Sequence, residues 1–560
     1  MKLVVVGGVA GGMSAAARAR RLDEHAQIVV FEAGPYVSFA NCGLPYHVAG
    51  EIEDRDSLLL HTPQSLAKRA ALDVRINTEV LSIDRKAKTV TARGPEGEYT
   101  ESYDKLILSP GAEAVDPPFS GTDHPAVFPL RTIPQMDELI AKVDHVLAGK
   151  AAGKPARAVV LGAGFIGLEA VEALVHRGFD VTIVEFAPHV LPPLDADLAS
   201  AVHEELRNHG VNLRLGVGAS AITDGEDGAA RVALTDGGAL DADLVVLSVG
   251  VRPRSELAKA AGLDLGERDT ILVDENQVTS DPDILACGDA VQVEFADGRR
   301  GPVLLAGPAN RQGRRAADQA LGHRTTPQQP VLATAVVRVF DLVAAVTGSN
   351  SRTLTQAGID HRVIRIHGPN HAGYYPGATQ IHLNATFTPE GKLLGAQAVG
   401  KNGVDKRIDV LATAIRAGMG ADDLAELELT YSPPIGSAKD VVNMLGFVAQ
   451  NVLSGEAPTW DYNDYAQVQE EELVLDVRGE AEAERSGVNI PGAVVIPLPQ
   501  LRERLDEVEK AAAGRPIAVH CASGTRSYLA QRILQAHGYQ VRNFSGGAKS
   551  LKFAIEAAGN

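Results

Sequence analysis

Leu3-Val-Val-Val6 runs into Gly7-Gly8-Val9-Ala10-Gly11-Gly12, and about 155 residues later Ala158-Val-Val-Leu161 runs into Gly162-Ala163-Gly164-Phe165-Ile166-Gly167. Each apolar run has strand length, each glycine cluster is a turn, and a small-residue helix follows: Met13–Arg21 in the first case, to about His176 in the second. Second strands follow at Ile28–Glu32 and Val181–Glu185. Parallel strands need a crossover, and a helix supplies it, so each unit reads βαβ. The repeat predicts an α/β protein with two Rossmann-like dinucleotide-binding domains.

The second glycine run has the form GxGxxG in its required context. Gly162 permits the tight turn, Gly164 lets the backbone approach a pyrophosphate at the helix N-terminus, and Gly167 allows close helix–strand packing. Glu185 lies 18 residues past Gly167, at the end of the next strand. An acid there accepts the ribose 2′-hydroxyl and repels a 2′-phosphate, which predicts NADH rather than NADPH. In the first run Val9 takes the middle glycine's place, and Glu32, 20 residues past Gly12, supplies the acid. Two such sites in one chain point to FAD beside NADH, with Gly7, Gly8, Val9, Ala10, Gly11, Gly12 and Glu32 on the flavin side.

Length and composition agree. At 560 residues, with 45% hydrophobic and 22% charged, the chain suits several globular domains rather than disorder. Its net charge of −18 disfavours nucleic acid and anionic membrane as partners. No stretch reaches the ~18 apolar residues of a membrane span. The run at Leu3–Val6 is too short for a secretory signal. The three cysteines, Cys42, Cys287 and Cys521, form no CxxC pair. That excludes a disulfide framework and a zinc site and suggests a reducing cytoplasm.

After the Glu32 strand comes Ser38-Phe39-Ala40-Asn41-Cys42-Gly43-Leu44-Pro45-Tyr46. In a doubly wound sheet such a loop lies beyond the strand ends, where ligands bind. Near a helix start, local backbone dipoles could ionise Cys42. GGVAGG followed by SFANCGLPY resembles the single-cysteine branch of the pyridine nucleotide–disulfide reductases. That branch includes CoA-disulfide reductase, CoA- and glutathione-persulfide reductase, and NADH oxidase or peroxidase. The resemblance spans about residues 1–450.

The resemblance implies further roles. Thr279-Ser-Asp-Pro-Asp-Ile-Leu-Ala-Cys-Gly288-Asp289 resembles the second FAD fingerprint, whose aspartate holds the ribitol chain; Cys287 within it reads as a small buried residue. The larger family pairs two cysteines five apart. Here Cys42 is alone, so its redox partner is external: a CoA thiol, a persulfide sulfur, or oxygen as sulfenic acid. Tyr431-Ser-Pro-Pro-Ile-Gly-Ser-Ala-Lys439-Asp440 matches the motif in which the tyrosine reaches the opposite subunit's active site and the lysine helps bind CoA. This implies a homodimer. His371-Ala-Gly-Tyr374-Tyr375-Pro-Gly resembles the segment with a second active-site tyrosine, which is Tyr374 or Tyr375. Ser14, Arg18, Arg21, Ser38, Asn41 and Asn310 match the family's CoA-binding positions. Arg18 and Arg21, three apart, share a helix face suited to the phosphates of coenzyme A.

The C-terminal segment resembles a rhodanese domain: Leu473-Val-Leu-Asp476-Val-Arg478, Asn489-Ile-Pro-Gly-Ala, then Cys521-Ala-Ser-Gly-Thr-Arg526-Ser, then Asn543-Phe-Ser-Gly-Gly. A strand delivers Cys521 to a six-residue loop ahead of a helix. Loop amides, the helix N-terminus and Arg526 would form an anion cradle for a thiolate, persulfide or sulfur oxyanion. Asn489 and Ala522 stand where many members carry histidine and arginine.

The expected organisation is FAD binding over 1–150 and 276–330, NADH binding over 151–275, and dimerisation over 331–454. A linker over 455–470 and a rhodanese domain over 471–560 complete it. The expected function is reduction of CoA persulfide or CoA disulfide by NADH through FAD and Cys42, with Cys521 as persulfide carrier. Alternatives are an NADH oxidase or peroxidase using a cysteine sulfenic acid, and a sulfurtransferase relay to another protein.

Overall fold

The first apolar run forms the strand Lys2–Val6, and its Leu3, Val4 and Val5 are wholly buried. Burial of each is worth about 1.5–3 kcal/mol before the entropy of ordering it. In this computed structural model, which describes residues 1–150 and 154–559, the strand is central to a five-stranded parallel sheet. Its order is Ile284–Ala286, Lys105–Leu108, Lys2–Val6, Gln27–Phe31, Asp73–Arg75. The strand that leads into Cys287-Gly288-Asp289 is therefore an edge of the N-terminal sheet, about 280 residues along the chain from the strand that opens it. The expected boundary between residues 150 and 151, and residue 560, lie outside the described residues.

The second apolar run is the strand Ala156–Leu161, set between Phe179–Glu185 and Leu244–Leu247, with Val127–Pro129 beyond, all parallel. Three-stranded antiparallel insertions at Glu79–Ser102 and Ala219–Ala242 were not foreseen from the sequence.

By contact density the chain divides into two units: residues 1–184 with 217–333, and residues 185–216 with 334 onward. The second contains an antiparallel sheet in the order Ala335–Val339, Leu342–Gly348, Leu393–Gly400, Gln380–Phe387, Arg362–Pro369. Its buried side packs the helices Val404–Ala417 and Val441–Leu453. The mixed α+β character expected after residue 331 is present, with Leu342–Gly348 and Leu393–Gly400 as additional strands.

The C-terminal sheet is parallel, in the order Thr459–Trp460, Val541–Phe544, Ile517–His520, Leu473–Asp476, Val494–Val495. This corrects the linker expected over 455–470. Thr459–Trp460 is an edge strand, Trp460 is buried edge-on against Phe544 at 4.5 Å, and Tyr465–Glu471 is a helix. The helix buries Val468 alone, so its polar composition hid it.

Candidate active site

Two helix N-termini are built alike. Val9 caps the helix Ala10–Leu22 and Gly164 caps Phe165–His176; neither offers a side-chain cap, and neither first turn holds an acid. Free N–H groups and a positive dipole end thus face outward, as a pyrophosphate requires. The glycines differ in purpose. A Cβ on Gly12 or Gly167 would lie about 2 Å from the carbonyl oxygen of Gly7 or Gly162, so these serve strand–helix packing. A Cβ on Gly164 would meet nothing within 4 Å, so that position leaves room for a ligand. The residues fit two dinucleotides.

Glu32 is held by backbone: Gly8 and Gly34 N–H groups donate to its two carboxylate oxygens, each at 2.8 Å. Each oxygen keeps a lone pair for a ribose hydroxyl. Glu185 closes its strand and accepts from the Ala187 N–H at 2.8 Å. Gly288 sits at φ +85° with its N–H donating to Gln312, which orients the Asp289 turn. Burial raises the Asp289 carboxyl, against the pull of Arg131 at 3.8 Å. Cys287 is fully buried with its thiol pushed up to about 12 by desolvation, as suits a packing residue.

Cys42 is exposed on the short 3-10 turn Asn41–Gly43, its thiol donating to Asn41 Oδ1 at 3.6 Å. The expected ionisation by backbone dipoles is not met. The following helix, Leu44–Ala49, has six residues and little dipole, and the nearby charges are carboxylates. Desolvation, then Glu169 and then Asp289, raise the Cys42 thiol above its ordinary value. Glu169 is a residue that sequence reasoning missed; it lies on the second fingerprint helix and accepts from Tyr46 Oη at 3.1 Å. Ser38 holds a left-handed φ of +52°, with its N–H on the Gly8 carbonyl at 2.7 Å. The loop that leads to Cys42 is thereby anchored to the first glycine turn.

The positions matched to CoA binding are partly brought together. Ser14 Oγ donates to Asn310 Oδ1 at 2.7 Å, because Gly313 packs its helix onto the Gly11 backbone. Arg18 is fixed by Asp318 at 2.7 Å, a partner the sequence did not reveal, and Arg21 is exposed. Arg20 between them is structural: it is buried and donates to the carbonyls of Ala70, Asp23, Glu24, Ala26 and Ala71.

In the second unit, Tyr374 Oη and Tyr431 Oη are 3.1 Å apart, and this bond holds Tyr374 above its ordinary pKa. Tyr375 instead packs edge-on against His371. Of the two tyrosines left open by the sequence, Tyr374 is the one joined to Tyr431. A buried ion pair sets their loops: Arg407 Nη2 lies 2.7 Å from Asp440 Oδ2 and also donates to the Asn370 carbonyl at 2.8 Å. Asp440 caps the helix Val441–Leu453, and Ala372 N–H donates to the Gly436 carbonyl. Lys439 is exposed beside this cap.

Cys521 follows the strand Ile517–His520 and is buried, with Ser527 Oγ at 3.2 Å from its sulfur. The helix Thr525–Ala536 starts at Gly524, φ +92°, without a side-chain cap. Ala548 and Lys549 N–H groups hold the carbonyls of Cys521 and Ala522 at 2.7 and 3.1 Å. Arg526, expected in the anion cradle, reaches the Cys521 sulfur but is shared with a carboxylate. Its guanidinium is forked onto Glu482, 2.7 Å at one arm, so much of that charge is offset; Glu482 and then Cys521 raise its pKa. Ser527 Oγ is an uncharged donor beside the sulfur, and Arg526 also interacts with it.

Among the described residues, one group could offer three ligand atoms to a metal within 4.8 Å of one another: Glu51, Glu172 and His176. No helix among them is long and apolar enough to cross a membrane.

Two uncapped helix N-termini on parallel sheets, with an exposed thiol on a loop anchored to the first, define a two-dinucleotide redox protein. The chain belongs to the pyridine nucleotide-disulphide oxidoreductase family, whose model matches residues 1–313, and that family depends on FAD and NAD(H). The family's dimerisation-domain model matches residues 334–441 and a rhodanese-like domain matches 462–554. Coenzyme A disulfide reductase of Staphylococcus haemolyticus (strain JCSC1435) is 35% identical over 455 residues, covering 80% of this chain and all of that protein. The crystal structure of reduced Bacillus anthracis CoADR-RHD is 43% identical with a TM-score of 0.94, covering 99% of this chain and 98% of that one. An NAD-dependent persulfide reductase from A. fulgidus is 36% identical with a TM-score of 0.90, covering 98% and 100%.

Proposed function

We propose that this protein is an NADH- and FAD-dependent reductase of CoA persulfide and CoA disulfide, with Cys42 as its single redox cysteine and Cys521 as a persulfide carrier. The observation that carries this reading is the isolation of Cys42. It is exposed, while Cys287 and Cys521 are both buried, so the sulfur that pairs with Cys42 comes from outside the chain. The activities named for the relatives support CoA and persulfide as that source.

FAD, when bound, supplies a two-electron carrier between NADH and sulfur. Gly7–Gly12, Glu32, Gly288 and Asp289 hold it, and Gly162, Gly164, Gly167 and Glu185 receive NADH. Ser14, Arg18, Arg21, Ser38, Asn41 and Asn310 receive CoA. The Cys42 thiolate attacks the CoA-side sulfur of a persulfide, forming a Cys42–CoA disulfide and expelling hydrosulfide. Two electrons from NADH then return the Cys42 thiolate and CoA thiol. With CoA disulfide the leaving group is a second CoA thiol. Tyr431, bonded to Tyr374, gives the proton to the departing thiolate, and it does so across a homodimer together with Lys439. The domains are assigned as FAD binding over 1–150 and 276–330, NADH binding over 151–275, dimerisation over 331–454 and rhodanese from the edge strand Thr459–Trp460 onward, in a cytoplasmic protein.

Anaerobic turnover tests the reading. Each NADH consumed should yield one hydrosulfide and one CoA thiol from CoA persulfide, or two CoA thiols from the disulfide. NADH consumption that needs oxygen and ignores both substrates would overturn it in favour of an oxidase. Across the dimer, inactive Cys42→Ser and slowed Tyr431→Phe subunits should regain activity on mixing, through hybrids with one intact site. Failure of exchanged hybrids to do so would remove the trans arrangement. Glu185→Ala should narrow the preference for NADH over NADPH by roughly fivefold or more, the ~1 kcal/mol of one charge repulsion at about 4 Å in water-like surroundings; an unchanged ratio of specificity constants would show that Glu185 does not read the ribose.

A further inference from the structure

The rhodanese part rests on the dimerisation sheet through a pair of histidines outside both thiol sites. His367 on Arg362–Pro369 faces His382 on Gln380–Phe387 in register, with Nδ1 atoms 2.7 Å apart. The other ring nitrogen of His367, Nε2, lies 2.9 Å from Ser550 Oγ on the C-terminal helix Gly547–Gly559. Phe553 of that helix packs edge-on against His382 at 4.9 Å. One turn connects this contact to Cys521. Gly546 lies against His367, such that a Cβ there would be 3.0 Å from Nε2, and the next residues, Ala548 and Lys549, hold the carbonyls of Cys521 and Ala522.

We infer that His367 and His382 are positioning residues for the Cys521 loop, and that their neutral hydrogen-bonded pair makes the seating of the rhodanese part on the dimerisation sheet dependent on pH. A bond between two Nδ1 atoms needs one to donate and the other to accept, so full protonation sets two donors against each other. The charged groups facing the pair are mostly cationic. Lys549 and Lys552 come from the helix, bonded to Gln380 and Glu204, and Arg365 from His367's own strand. Glu204 opposes them from the helix Ala196–Asn208, and Glu556 lies 3.8 Å from Lys552. Burial and these cations keep His367 well below 6.5 and hold His382 at about 4.

The sign follows from these depressed values. Release from the sheet restores an ordinary imidazole, so the released form binds protons more readily. Seating is therefore fully stable above about 6.5 and is lost progressively as the pH falls toward 4. From His382 alone the released fraction grows ~30-fold between about pH 7.5 and about pH 5.

Hydrogen exchange on the holoenzyme, expressed as protection factors to cancel intrinsic rates, reads this without using either thiol's chemistry. The slowest amides of Gly547–Gly559 should lose ~30-fold protection over that range, while those of Gln380–Phe387 keep theirs. His382→Asn and His367→Gln each keep a neutral bonding group but remove only one titrating ring, so each should make the profile shallower, and the double variant His367→Gln with His382→Asn should flatten it. In parallel, sulfur transfer by Cys521 should fall with pH in the native protein and stay level in the double variant. Protection constant within threefold in the native protein overturns the proposal, and so does an undiminished fall that persists in the folded double variant.

Discussion

Cys42→Ser should lose NADH-driven reduction of CoA persulfide and CoA disulfide by on the order of 10⁴-fold or more, because a hydroxyl cannot form or release the mixed disulfide. The chain has no substitute: Cys287 is buried with its thiol near 12, and Cys521 is enclosed within the rhodanese part. FAD content should be unchanged, since Cys42 stands on an exposed turn that contributes nothing to the core. The same variant should keep sulfur transfer from a persulfide donor to an acceptor thiol. Cys521→Ser should show the converse when small CoA persulfide is supplied directly. Turnover measured on both variants with both substrates checks this, and residual NADH-driven reduction in Cys42→Ser above a hundredth of native would contradict it.

Arg407→Ala should cost about 3–5 kcal/mol of stability in the dimerisation part, the usual consequence of leaving one member of a buried ion pair. Both side chains are about 2% exposed. Without the guanidinium, Asp440 is a buried carboxylate that still caps the helix Val441–Leu453, and the Asn370 carbonyl loses its donor. Both tyrosine loops depend on that junction, so reductase activity should fall with stability while FAD stays bound. Denaturant unfolding measures the first effect and flavin absorbance the second. The double change Arg407→Met with Asp440→Asn should recover part of the loss, since it removes the orphaned charge and keeps the cap. A single variant within ~1 kcal/mol of native would show that the junction is not buried in solution.

The two glycine units were legible because strand, turn and helix each have a local signal, and both thiol loops lie next to such strands. The rest depends on contacts that sequence spacing does not carry. Ser14 meets Asn310 across 296 residues, and Arg18 meets Asp318 across 300. Arg18, Arg20 and Arg21 look alike in sequence, yet one is pinned, one is buried as a carbonyl clamp and one is exposed. The same limit applied to Tyr374 and Tyr375, which adjacency cannot rank and a 3.1 Å hydroxyl contact separates. Burial, then Glu169 and Asp289, changed the electrostatic reading of Cys42, and Glu482 that of Arg526, because tertiary folding sets both the desolvation and the carboxylate neighbours.

Mass spectrometry of the purified, unreduced protein tests the central claim most directly. The account predicts bound FAD and a coenzyme A adduct on the peptide bearing Cys42, released as CoA thiol by anaerobic NADH. A Cys42 that carries only oxygen, as sulfenic or sulfinic acid, and that takes up no CoA from CoA disulfide would contradict it.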